Sequence, residues 1–109
     1  MEKIQLADVP VNGLPLYERQ TVFSPKGDFS AFTFSLITLL PGQRVPTQGT
    51  GRHEEDEYSI FLEGEVYTES GAYKGVCSQG EATLIPKGEV HWCENRTDKP
   101  CRLVCVMIK

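Results

Sequence analysis

A chain of 109 residues, 39% hydrophobic and 24% charged, has the length of one domain, residues 1–109, and the composition of an ordinary soluble globular protein. The formal net charge is −4 and no Lys/Arg cluster offsets it, so nucleic acid or another polyanion is excluded as an expected partner. The apolar runs are far too short to cross a bilayer and Met1-Glu2-Lys3-Ile4 begins no signal peptide, so the expectation is a cytoplasmic protein with no membrane partner.

Residues 1–16 set Ile4, Leu6 and Val9 among Pro10 and Pro15, short extended pieces suited to a sheet edge. A strand is expected over residues 17–24, ending at the turn signal Ser24-Pro25-Lys26-Gly27-Asp28. Residues 29–40 are long enough for a helix. Yet Phe32, Phe34 and Leu36 alternate with Thr33 and Ser35, and Ser, Thr and Phe are weak helix formers, so the pattern predicts a strand ended by Pro41-Gly42. Residues 43–52 are polar and Gly-rich and lead into His53.

Further strands are expected over residues 57–62, 66–68, 73–77 and 82–85. The turns Glu63-Gly64-Glu65, Glu69-Ser70-Gly71 and Ser78-Gln79-Gly80-Glu81 separate them, and Pro86 ends the last. A short run carrying His91 follows, then a polar turn over residues 94–100. Residues 101–108 form a final strand apolar on both faces, as expected inside a sandwich or at a dimer contact. Short strands, turns every ~8–12 residues and no 3.6 period specify an all-β sandwich or barrel.

Four cysteines stand at 77, 93, 101 and 105 with no Cys-x-x-Cys pair, which is not a structural zinc pattern. Cys101 and Cys105 would lie ~13 Å apart on one strand, too far for a disulfide. Cys93 and Cys101 flank a turn and could face each other, but cytosolic thiols are normally reduced. Small buried core residues are the expected role.

Chemistry concentrates around the two histidines. His53 adjoins the acidic run Glu54-Glu55-Asp56-Glu57, whose first three residues suit a solvated turn. On a straight strand His53 and Glu57 would be ~13 Å apart, so both can serve one ion only if residues 54–56 turn the chain. His91 and Cys93 share a strand face, with Cys93 lining a pocket rather than ligating. No Gly-x-Ser-x-Gly elbow and no phosphate loop is present.

Gly80, Pro86, Gly88, His91 and Asn95 stand at a spacing that resembles the second motif of the cupin family: Gly, five residues, Pro-x-Gly, two residues, His, three residues, Asn. Gly64 sets the register of the family's first motif, in which Glu57 is the carboxylate and His53 the second His of a pair. The first His of that pair falls on Gly51. The resemblance implies a double-stranded β-helix, or jelly-roll barrel, with a divalent metal ion (Fe, Zn, Ni, Mn or Co) held by His53, Glu57 and His91. Two imidazoles and a carboxylate on one side of an ion leave positions for water or substrate. Gln48 or Thr50 could supply a side-chain oxygen in place of the missing ligand.

The resemblance further implies a metal-dependent enzyme of oxygenase, isomerase or lyase type acting on a small organic molecule in the barrel, and a homodimer. The alternative is a non-catalytic module that binds a small ligand or metal at a degenerate site, which Gly51 favours. Asn95, Gly80, Pro86 and Gly88 are expected to shape turns. Phe34, Phe61, Tyr67 and Trp92 are candidates for a cavity wall, and Arg52 is expected to face away from His53.

Overall fold

The computed structural model describes residues 8, 10–13, 18–23 and 32–109. Among them lie ten strands and no α-helix: β1 (Asn12–Gly13), β2 (Glu18–Phe23), β3 (Phe32–Leu39), β4 (Arg44–Val45), β5 (Asp56–Glu63), β6 (Glu65–Ser70), β7 (Tyr73–Ser78), β8 (Ala82–Ile85), β9 (His91–Glu94) and β10 (Cys101–Ile108). The strand expected over residues 29–40 is β3, and the final strand has the expected bounds. Most of the extended pieces expected in residues 1–16, and the turn Ser24-Pro25-Lys26-Gly27-Asp28, fall outside the described residues.

Six strands form a larger sheet in the order β1-β2-β3-β10-β5-β8, and four form a smaller one in the order β4-β9-β6-β7. The pairings are antiparallel. This is the all-β jelly roll that the motifs imply.

The alternation of β10 explains its central place between β3 and β5. Cys101, Leu103 and Cys105 point inward and are buried, with Leu39, Phe61, Val66 and Cys77 around them. Each large apolar side chain removed from water here contributes roughly 2 kcal/mol. The opposite face of β10, with Arg102, Val104 and Val106, is only half-buried.

The chain passes from one sheet to the other at Gly64, between β5 and β6. Its φ of +73° and the carbonyl oxygen of Pro100, which an added Cβ would strike, leave room for glycine alone. Below this crossing Asn95 is wholly buried. Its amide donates to the carbonyls of Leu39 (2.9 Å) and Lys99 (2.8 Å), while its Oδ1 accepts from Thr97 N (3.0 Å) and Thr97 Oγ1 (2.7 Å). One side chain thereby ties β3, β9 and the turn before β10, the structural role expected of it.

Trp92 and Tyr67 face outward on the smaller sheet rather than into a cavity. Arg44 lies 4.2 Å over the Trp92 ring, Arg96 lies 3.9 Å over Tyr67, and the two rings are 5.5 Å apart. Such exposed cation–π contacts are worth ~0.5–1 kcal/mol each.

Candidate functional site

His53 lies 38 positions from His91 in sequence, and backbone hydrogen bonds bring the two together. Gly51 and His91 exchange both of theirs, each 2.9 Å long, which lays the segment before β5 against the start of β9. The Pro86–Gly88 corner then folds back so that Gly88 N donates to the carbonyl of His53 at 2.8 Å. Gly88 adopts a φ of +80°, which L side chains rarely take. The corner is fastened a second time, by Lys87 N donating to Asp56 Oδ1 at 2.9 Å.

As a result the His53 and His91 rings stand 4.9 Å apart, centroid to centroid, at an interplanar angle of 52°. The Nδ1 of His91 lies 2.9 Å from the carbonyl oxygen of Glu89. A carbonyl only accepts, so Nδ1 carries the proton and, in the neutral ring, Nε2 keeps its lone pair. That is the state in which imidazole binds a metal ion.

The two rings open onto a cavity of about 450 Å³ between the sheets, within the range of small-molecule sites. Glu57 enters it from β5, where the inward-facing series Glu57, Ser59 and Phe61 alternates with the exposed Tyr58, Ile60 and Leu62. The turn needed between His53 and Glu57 is a bend at Glu54 and Glu55. Asp56 differs from the solvated-turn expectation: it begins β5, half-buried, because its carboxylate has the corner to hold.

Glu57 leans toward β10, where its Oε1 accepts from the Cys105 thiol at 3.5 Å. Among the described residues no three His, Cys, Asp or Glu side chains are already grouped to hold a metal ion. The donor chemistry suits a divalent cation. Two imidazoles are assembled, and a carboxylate faces the same cavity from the opposite sheet.

Burial holds the thiols in the protonated form. Burial, with the Glu57 charge adding to it, pushes Cys93 up to about 12 from an ordinary 9.0. Burial also raises Cys105 to about 12 and Cys101 to about 11. All four cysteines are free. Cys93 lines the cavity as expected, protonated. Gln48, Thr50 and Arg52 are exposed and do not line it. Of the four aromatic candidates only Phe61 does.

Two cavity groups escape sequence reasoning. Glu89 stands in line with His91, its Oε2 accepting from Ser70 Oγ at 2.7 Å, and its Oε1 would lie 2.6 Å from a Cβ added at Gly71. A side chain at position 71 would displace the end of Glu89, and the φ of +56° there also favours glycine. Arg19 reaches the cavity from β2, on the far side of the larger sheet. Neither belongs to a motif; the one available signal for Arg19 was strand alternation, which is uninformative in so polar a strand.

A family profile described as the cupin domain matches residues 35–107. Among solved structures, the protein TT1209 from Thermus thermophilus is 28% identical, with 99% of this chain and 97% of that one covered and a TM-score of 0.78. A Thermotoga maritima protein described as a predicted oxalate decarboxylase is 19% identical, with 98% of each chain covered and a TM-score of 0.86. The polyketide cyclase RemF from Streptomyces resistomycificus is 19% identical, with 99% of this chain and 79% of that one covered and a TM-score of 0.81. The search of curated proteins finds no match.

Proposed function

The chain belongs to the cupin family, and from that premise we propose that it binds a divalent metal ion through His53, His91 and Glu57 and acts on a small organic molecule in its barrel. The observation that carries this reading is the ring-to-ring placement of His53 and His91 over an interior cavity, 4.9 Å apart. When bound, the ion would supply Lewis acidity or a site for O2. The protein's own groups set the rest. The carbonyl of Glu89 fixes the His91 tautomer, Glu57, now accepting from the Cys105 thiol, would be the carboxylate that turns to hold the ion, and Leu39, Phe61, Val66 and Leu103 give the cavity an apolar wall.

The fold does not choose the reaction. A decarboxylase description and a cyclase attach to similar barrels, and oxygenase, isomerase or lyase chemistry all fit the site. A second reading, a non-catalytic metal or ligand module, draws support from Gly51 at a ligand position and from the lack, among the described residues, of a completed three-donor group.

The metal reading is tested by titration with zinc and Fe(II). Wild type is expected to take one ion per chain and His91→Ala to lose it; full occupancy in that variant would remove this site. Turnover of thiols, catechols or enols by the loaded protein would favour the enzyme, and inertness with every metal would favour the binding module.

A homodimer is part of the proposal. Tyr58 (44%), Ile60 (54%), Leu62 (50%) and Leu84 (54%) are exposed and lie on the outer face of the paired strands β5 and β8, a patch suited to a second copy. Four free thiols fit a cytoplasmic setting.

A further inference from the structure

We propose that the cavity is a site for a small organic monocarboxylate whose carboxylate is held by Arg19, away from the paired imidazoles. This rests on the reading that a small molecule occupies the barrel, but not on the metal.

Arg19 is the one Lys or Arg among the described residues that line the cavity. It stands opposite Ile37, which stands opposite Leu103, which stands opposite Phe61, so these four form one row across four strands. Glu57 lies four residues from Phe61 along β5, ~13 Å away. An acid anchored at Arg19 would therefore extend from that row past Cys105 toward Glu57 and the histidines.

The chemistry of the walls narrows the ligand. A guanidinium presents a planar fork that matches a carboxylate in two parallel hydrogen bonds, and low dielectric strengthens the pair. Ile37, Leu39, Val66 and Leu103 offer apolar surface to the remainder of the molecule. The other fixed charges in the cavity include Glu57 and Glu89. A second carboxylate on the ligand would meet those anions, so a monoacid fits better than a diacid. About 450 Å³ accommodates a molecule of a dozen or so heavy atoms.

The test uses calorimetry with benzoate, its neutral isostere benzamide, and phthalate, on metal-stripped and on zinc-loaded protein. Benzoate is expected to bind at least ~10-fold more tightly than benzamide or phthalate, equivalent to about 1.4 kcal/mol. Arg19→Met should abolish that preference while leaving benzamide binding and metal stoichiometry unchanged. Equal binding of benzoate and benzamide, no binding of benzoate, or an undiminished preference in Arg19→Met would overturn the proposal.

A wild-type measurement covers the case in which Arg19→Met does not fold. Benzoate, and not benzamide, should shift the Arg19 Nε–H signal in nitrogen-edited NMR spectra, and an unmoved signal would overturn the proposal. A chain that prefers benzoate but never takes up metal keeps this site and loses the metal reading. A chain that loads metal without the preference does the reverse.

Discussion

Replacing Gly51 by histidine should rebuild a ligand that the cupin pattern places there. Gly51 and His91 exchange two 2.9 Å backbone hydrogen bonds, and residues directly opposite in an antiparallel pair project to one face. An imidazole at 51 would therefore enter on the His91 side of the cavity. A Cβ at this position meets only the Pro46 ring, at 3.9 Å, and the residue is not among the glycines with positive φ, so neither clash nor backbone strain opposes the change.

The magnitude follows from known metal sites. Four-ligand zinc sites are worth ~10–16 kcal/mol, or roughly 3 kcal/mol per ligand. Fixing the new side chain costs about 1 kcal/mol. The net is about 2 kcal/mol, an affinity gain of roughly 30-fold. Competition against a chromophoric chelator, with zinc and with cobalt(II), reads it directly. Gly51→Ala is the control and should match wild type in affinity. A folded Gly51→His protein with wild-type affinity would refute the reasoning, because it would show that position 51 does not face the ion.

Asn95→Ala removes four hydrogen bonds from a fully buried side chain and strands the Leu39 carbonyl; at 1–3 kcal/mol per unpaired buried group the expected loss is about 3 kcal/mol, or ~12–20 °C in Tm by circular dichroism. A fall of less than ~5 °C would contradict the structural role given to this residue. The thiols predict alkaline weakening. Below pH 9 folded and unfolded chains both keep the Cys93 proton. From 9.0 toward about 12 only the unfolded chain releases it, so the raised folded value contributes stability that is lost as pH rises through this window. Urea midpoints at pH 8 and 10 should drop in wild type and drop less in Cys93→Ala, and equal drops would count against that burial. Iodoacetamide at pH 8 should label the cysteines only after unfolding.

Much of this barrel is legible because its turns demand particular residues. Gly64 faces a carbonyl that excludes any Cβ, and Gly88 holds a positive φ at the corner that docks on His53. Those requirements are local, so they show as fixed spacings, and the spacings fix the register of His53, Glu57 and His91. Strand alternation likewise places Ser59 and Phe61 inside and Tyr58 and Ile60 outside.

The contributions of Arg19 and Glu89 depend instead on tertiary packing. Arg19 lies more than thirty residues before the first motif and reaches the cavity only because β2 sits beside β3. Glu89 stands beside the corner, and only the fold brings Ser70 and Gly71 against it. The Glu57–Cys105 contact was equally hidden, since it joins residues 48 apart on neighbouring strands. Trp92 and Tyr67 misled for a related reason: aromatic residues suit either face of a strand, and here Arg44 and Arg96 cover them from outside.

Anomalous diffraction from crystals of cobalt-loaded protein tests the central claim most directly. The account predicts a single strong peak within bonding distance of His53 and His91, with the Glu57 carboxylate turned from Cys105 onto the same ion. No peak between the two rings, or a cobalt ion bound elsewhere while the rings stay empty, would contradict it.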